Sequence, residues 1–255
     1  FATASGMVVG AYRVARAWMG WMPGGLAIST VFAAAGFGAV AGASQATAAV
    51  FARVAIPELL KFKYNPSLSA AAVAASGTLA SLIPPSAALV VYGAIVDQSI
   101  GRLLLAGFIP GFFSALLYAV FLLLRCSAHP ELGQPIRGVS WEERGASLLG
   151  IWPIILVMAL IMGGMSTGWT TPTEAGATGA FIVFAYTLAR GRLSLPVLRE
   201  SLTETAKLTV MIFSTFWGVF IFARFLSFTR LPTEVAEWIV ALPLPPTAIL
   251  AAVLL

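Results

Sequence analysis

Two long stretches of this chain carry no charged residue, 17–52 and 64–96, and the second has adjacent prolines, Pro84 and Pro85, near its middle. A bilayer-spanning helix needs about 20 apolar residues, so each stretch exceeds one span. Each proline removes a backbone donor, and Pro85 also biases Pro84 away from helical geometry. Backbone that leaves the helix at bilayer depth is tolerated only where protein or a water-filled cavity receives its polar groups. The segment SGTLASLIPPSAAL, 76–89, is therefore a membrane segment with a built-in interruption. A second irregular stretch, GFGAVAGASQATAA at 36–49, lies inside the other charge-free run. The two interruptions are expected to face each other and form half of a transport site.

Composition supports the membrane setting. The chain is 59% hydrophobic and 10% charged, with mean hydropathy +0.93, against about 25% charged in a soluble domain. Strand-sized alternation is lacking, which favours an all-α polytopic membrane protein over a barrel. The net charge of +5 comes from short basic clusters between apolar runs. That is the pattern of cytoplasmic loops; a nucleic-acid patch is not indicated, and no nucleic acid is expected as a partner. One cysteine, Cys126, and one histidine, His129, allow neither a disulfide framework nor a Cys/His metal site within the chain. Without a buried acid pair or a Ser/His/Asp set, an intramembrane enzyme has nothing to work with. Both ends fall in apolar sequence, and the chain reads as an internal fragment of a longer protein.

Taken in order, residues 1–16 read as the end of a transmembrane helix and a connector closed by Arg13 and Arg16. The charge-free run 17–52 is short for two full spans and has a Gly-rich centre, which fits a re-entrant helical hairpin over 17–63 with its tip near Gly42 and Ser44. Residues 64–96 read as a broken transmembrane helix, 97–125 as a plain one with its apolar part at 103–124, and 126–145 as a cytoplasmic loop. Residues 146–255 hold further spans: 146–167 with Pro153 in or near its first turn, one after Thr171, one at 208–228, and a last from Thr247. Start signals of the S/T-x-x-E type occur at Ser140–Glu143, Thr171–Glu174 (with Pro172 at the first helical position) and Ser201–Glu204. Pro196 also marks a helix start, and 231–242 reads as a short amphipathic helix ended by Pro243, Pro245 and Pro246. Trp18, Trp21, Trp141, Trp152, Trp169 and Trp238 fall near span ends, as an interfacial belt would.

Loop charge gives an orientation. Alternate connectors hold Arg53/Lys61/Lys63, then Arg125/Arg137/Arg144, then Arg190/Arg192/Arg199/Lys207, while those between hold few bases or bases balanced by acids. The basic connectors are cytoplasmic by the positive-inside rule, provided 17–52 makes no net crossing or makes two.

At the hairpin tip, a helix ending near Gly42 and Ala43 leaves its last carbonyls partly negative. A helix beginning at Ser44 leaves its first amides partly positive. Carbonyl ends suit Na⁺ and amide ends suit a carboxylate. Ser44, Gln45 and Thr47 add side-chain oxygens and an amide. In the next segment Ser76, Gly77 and Thr78 are placed to expose carbonyls, Pro84 and Pro85 stop the helix, and Ser86 caps its second half. Cation candidates are thus Gly42, Ala43, Ser44, Ser76, Gly77 and Thr78; substrate candidates are Ser44, Gln45, Thr47, Pro84, Pro85 and Ser86. The plainer alternative is close helix packing, hydroxyls bonded back along their own helices, and a simple proline kink. Glu174 reads as a cap, and Arg53 and Glu58 as either loosely paired or solvated.

The stretches GASQATAAVFARVAIPEL, YNPSLSAAAVAASGTLASLIPPSAALVVYG, QSIGRLLLAGFIPG and TPTEAGATGA together resemble the large membrane subunit of tripartite ATP-independent periplasmic (TRAP) transporters. The resemblance runs over essentially the whole chain. It implies an elevator-type secondary transporter of inverted repeats in the bacterial inner membrane, with one repeat here plus the start of the second. It also implies no cofactor beyond Na⁺ as coupling ion, a periplasmic substrate-binding protein that delivers an organic acid such as a C4-dicarboxylate, and a small membrane subunit. By the same resemblance the second hairpin and second Pro-Pro break lie beyond residue 255, so the fragment alone should not transport. A stand-alone dicarboxylate symporter of the same superfamily and a non-transporting scaffold are the alternatives.

Overall fold

The computed structural model describes residues 1–136 and 138–241. Arg137, the proline stop at 243–246 and the final span from Thr247 lie outside the described residues. Among those described the chain is helical throughout, without a strand. It divides into a unit of residues Phe1–Val197 and a second of Leu198–Leu255.

In the first unit a single turn, α1 (Ala2–Ser5), leads through Gly6 at φ +86° into α2 (Met7–Met19). The expected boundary at residue 16 therefore falls inside a helix, and the helix end read over 1–16 is interrupted at Gly6. Helix α2 runs through Arg16, whose guanidinium pairs with Glu58 at 2.7 Å across the fold. The same contact takes Glu58 away from Arg53.

Helix α3 (Gly25–Ala41) is the centre of the unit. Its sequence has no polar side to present, and Leu26, Ala27, Ile28, Val31, Ala34 and Phe37 are all buried. A helix apolar on every side demands neighbours on every side. It obtains them from α2, α4 (Ser44–Lys61), α5 (Pro66–Thr78), α7 (Ile100–Ala128) and α9 (Trp152–Ser166). Its polar Ser29 and Thr30 bond back to the carbonyls of Gly25 and Leu26 at 2.6 and 3.0 Å, so neither hydroxyl is stranded.

Helices α3 and α4 form a hairpin whose open ends meet. The buried Tyr64 hydroxyl, just after α4, accepts from the Leu26 amide at 3.2 Å and donates to the Gln134 carbonyl at 2.9 Å. The 129–136 loop binds the same end: Gly24 N–H to Gly133 O at 3.1 Å, Ile136 N–H to Gly20 O at 2.7 Å, and Asn65 N–H to Leu132 O at 2.9 Å. Two of the basic connectors, after α4 and after α7, are therefore side by side.

Helix α5 starts with Pro66 in its first turn and Asn65 capping the Ser67 and Leu68 amides. It passes into a 3₁₀ turn, Leu79–Ser81, and the chain resumes as α6 (Ala87–Ile95). Helix α7 is longer than its apolar part at both ends and carries Pro110 internally. The 146–167 segment is two helices, α8 (Trp141–Leu148) and α9, meeting at 41°, with Pro153 in the first turn of α9. Ser140 caps α8 through the Glu143 amide. Helix α10 (Pro172–Ala189) opens on a complete capping box between Thr171 and Glu174.

Helix α11 (Leu195–Thr229) begins at Leu195, with Pro196 in its first turn, and not at Ser201. The Ser201–Glu204 signature lies within it, and Glu204 pairs with Lys207 at 3.1 Å. A Ser-x-x-Glu spacing marks a helix start only where free amides exist, and mid-helix there are none. Helix α12 (Leu231–Val240) follows in the second unit. By length and apolarity α7 and α11 are each able to cross a bilayer, and the bent α8–α9 pair makes a third candidate.

Candidate functional site

The two interruptions meet. Helix α3 ends at Gly42, which sits in the left-handed region at φ +65° with its N–H bonded to Gly38 O at 2.7 Å. The Gly42 carbonyl then accepts the Ala87 N–H, the first amide of α6, at 3.0 Å. A Cβ on Gly42 would lie 2.9 Å from the Pro85 carbonyl, so this close approach needs glycine on two counts. The hairpin tip is docked on the backbone that the Pro-Pro interruption leaves outside the helix.

The other side of the tip closes on α5. Ala43 is extended and starts α4, and no side chain caps the first amides of that helix. Ala43 O accepts from both the amide and the hydroxyl of Thr47, at 3.1 and 2.9 Å. Gly77, buried within α5, packs so tightly on α4 that a Cβ there would stand 2.7 Å from the Ala48 Cβ and 3.3 Å from the Ser44 carbonyl. Two cation candidates of separate segments, Ser44 and Gly77, are thus adjacent.

The interruption itself lies further along than the Gly77–Thr78 position implied by the sequence. Helical turns continue through Ser81, with Leu82 N–H and Ile83 N–H both bonded to Leu79 O, at 3.0 and 2.8 Å. Only 82–86 are non-helical. The prolines, not the glycine, end the helix, because they lack donors whereas Gly77 keeps its own. Fully buried Ser86 closes the gap: its hydroxyl donates to Ser81 O at 2.6 Å and accepts from Leu89 N–H at 3.4 Å. Helix α7 backs the break, with Gly107 against Leu82 and Gly111 against Ile83.

The candidate side chains divide by what they already bond. Buried Ser76 donates to Val73 O at 2.9 Å and buried Thr47 to Ala43 O, so both hydroxyls are engaged within their helices. Pro84 is buried and Pro85 half-buried. Ser44 is half-buried and Gln45 exposed, with only a 3.4 Å contact between them. Exposed Thr78 bonds Ala75 O at 2.7 Å and lies 3.3 Å from the Tyr118 hydroxyl. Tyr118 and the Ala87 amide were not singled out in the sequence. The only signal for Tyr118 is a polar group amid the apolar 103–124 run. The two segments that meet here carry no formal charge, since neither 17–52 nor 64–96 contains one. What these two segments offer a ligand is carbonyls, amides and hydroxyls.

An all-helical chain with span-length apolar helices and two interrupted segments docked break to break is a polytopic helical membrane protein. Its sequence matches, over residues 1–255, the family described as "Tripartite ATP-independent periplasmic transporter, DctM component", and the chain belongs to that family. It is 34% identical over 250 residues to the C4-dicarboxylate TRAP transporter large permease protein DctM of Pseudomonas aeruginosa, covering 96% of this chain and 57% of that protein. To the DctM protein of the same description from Vibrio cholerae it is 32% identical, covering 99% of this chain and 60% of the relative. To the ectoine TRAP transporter large permease protein TeaC of Halomonas elongata it is 30% identical, covering 94% and 56%. The chain therefore spans less than two thirds of the length of these relatives. Family membership places the chain in a multi-pass protein of the bacterial inner membrane.

Proposed function

We propose that the docked pair of interruptions is one half of the binding site of a Na⁺-driven TRAP permease that imports an organic acid. The Gly42 carbonyl to Ala87 amide contact carries this reading. It brings a helix C-terminus, an uncapped helix N-terminus and a proline-freed loop to one place, the arrangement by which discontinuous helices hold ions and anionic groups. In this reading backbone carbonyls of Gly42, Ala43, Ser44, Ser76, Gly77 and Thr78 supply the cation ligands. Ser44, Gln45 and Thr47 at the start of α4, with Pro84, Pro85 and Ser86 opposite, supply the substrate face. The Gly42 carbonyl accepts one bond, from Ala87, and offers a cation its second lone pair, whereas the Ala43 carbonyl accepts two from Thr47 and must give one up to a cation.

Site chemistry and the relatives' names support an organic acid as the substrate class. Uncapped amides favour a carboxylate, and C4-dicarboxylates and ectoine both carry one. A periplasmic binding protein would deliver the acid and a small membrane subunit would brace the permease. Proteoliposomes holding the full-length protein and the small subunit, supplied with the binding protein and radiolabelled succinate or ectoine, test the scheme. Accumulation driven by an inward Na⁺ gradient is the expected result. Equal uptake with and without the gradient refutes the coupling, and full uptake without the binding protein favours a stand-alone symporter.

A further inference from the structure

Away from the docked interruptions, the first unit contains a cavity of about 320 Å³ with no lining residue from α3, α4, α5 or α6. Three arginines surround it: Arg13 on α2, Arg190 at the end of α10, and Arg192 just beyond. No acid lines it. Among the described residues the ion pairs are Arg16–Glu58, His129–Glu131 and Lys207–Glu204, so none of the three guanidiniums has a carboxylate. Arg192 donates to the Ser5 carbonyl at 3.1 Å, which fixes it at the rim. Gly6 makes room for it, since a Cβ there would run into the Arg192 guanidinium. On the opposite wall α2 meets the α8–α9 bend with glycine against glycine, a Cβ on Gly10 falling 2.6 Å from the Gly150 carbonyl.

The remaining walls are amphipathic. Trp152 and Tyr186 pack edge to face at 5.6 Å between ring centres. Trp and Tyr are favoured at the headgroup level of a bilayer. Val9 and Leu149 supply exposed apolar surface beside them. Arg190 and Arg192 belong to a connector that loop charge assigns to the cytoplasm. A basic pocket between helices on that side, with aromatic and aliphatic walls, has the chemistry to hold an acidic lipid headgroup.

We infer that this Arg13/Arg190/Arg192 cavity binds the headgroup of an anionic phospholipid of the cytoplasmic leaflet. The phosphodiester lies among the guanidiniums, Trp152 and Tyr186 sit at the glycerol level, and Val9 and Leu149 meet the start of an acyl chain. The site is independent of the transport reading and holds for any function of the docked interruptions.

The test is native mass spectrometry of the full-length protein in detergent, titrated with phosphatidylglycerol or phosphatidylcholine. The wild type should retain phosphatidylglycerol about tenfold or more tightly than phosphatidylcholine, as an arginine cluster near a membrane surface predicts. Arg13→Gln/Arg190→Gln/Arg192→Gln should lose that preference, while Arg53→Gln/Lys61→Gln/Lys63→Gln, which removes equal charge elsewhere, should keep it. If the triple variant is not monodisperse, Arg13→Gln/Arg190→Gln, which spares the Arg192–Ser5 bond, carries the same test. Undiminished preference in the cavity variant overturns the proposal, as does equal loss in the control. Millimolar inorganic phosphate should raise the melting temperature of the wild type less than the lipid does. An equal rise would mean a site for free phosphate and would also overturn it.

Discussion

The Gly42 carbonyl oxygen accepts a hydrogen bond from the Ala87 amide at 3.0 Å, joining residues that belong to two separate charge-free segments. One ends the first helix of the hairpin at its tip and the other is the first residue of a resumed helix. Each helix end would otherwise hold a polar group without a partner in an apolar setting, at a cost of several kcal/mol. Docking the ends satisfies both and fixes the register of the hairpin against the break.

Gly42→Ala should disrupt that docking. The residue sits at φ +65° and its Cβ would meet Pro85 O at 2.9 Å. Left-handed backbone alone costs a non-glycine residue about 1–2 kcal/mol. Uptake by the full-length protein with its partners is expected to fall by roughly tenfold or more, with membrane insertion intact by fractionation. Uptake at the wild-type rate would show that the tip relaxes without consequence.

Gly77→Leu and Ser44→Leu should each abolish transport while leaving insertion unchanged. A leucine at 77 must displace Ala48, which stands 2.7 Å from the first side-chain atom. One at 44 puts an apolar group at the uncapped start of α4. Radiolabelled uptake beside a surface-accessibility assay separates the two effects. Normal uptake in both variants would reduce the interruptions to a packing role.

Tyr64→Phe removes a hydroxyl that serves Leu26 N–H and Gln134 O together. The stranded buried amide costs about 1–3 kcal/mol. Thermal melting should drop, and the Leu26 amide should exchange hydrogen faster than in the wild type. Unchanged exchange at Leu26 would mean that water replaces the phenol without cost.

Arg16 and Glu58 should prove coupled. Their side chains are 32% and 26% exposed, so solvent screens the 2.7 Å pair only in part. A double-mutant cycle with Arg16→Gln and Glu58→Gln is expected to return about 1 kcal/mol, near the upper end for surface pairs. A zero coupling energy would show that α2 is held to α4 by apolar packing alone.

Much of the fold follows from local chemistry. Thr171, Pro172 and Glu174 start a helix because a hydroxyl, a fixed φ and a carboxylate satisfy free amides within four residues. Pro84 and Pro85 end one because they have no N–H to give, and Ser86 begins the next by capping Leu89. The absence of charge over 17–52 and 64–96 sets both segments in an apolar environment before any contact is known. Those features belong to the sequence by itself.

Tertiary structure decided the rest, because packing acts between residues that no local rule connects. It joined Arg16 to Glu58, 42 positions apart, where the sequence had left Glu58 either loosely paired with Arg53 or solvated. Gly77 kept its helix because Ala48 lies against it, and the interruption moved to 82–86. Ser201–Glu204 lost its meaning as a start signal because the helix had already begun at Leu195, with Pro196 in its first turn. That the two interruptions meet, Gly42 on Ala87, depends on helix ends from separate segments completing each other's hydrogen bonds. A motif read along the chain names the groups left without partners; only the folded chain settles which of them find each other.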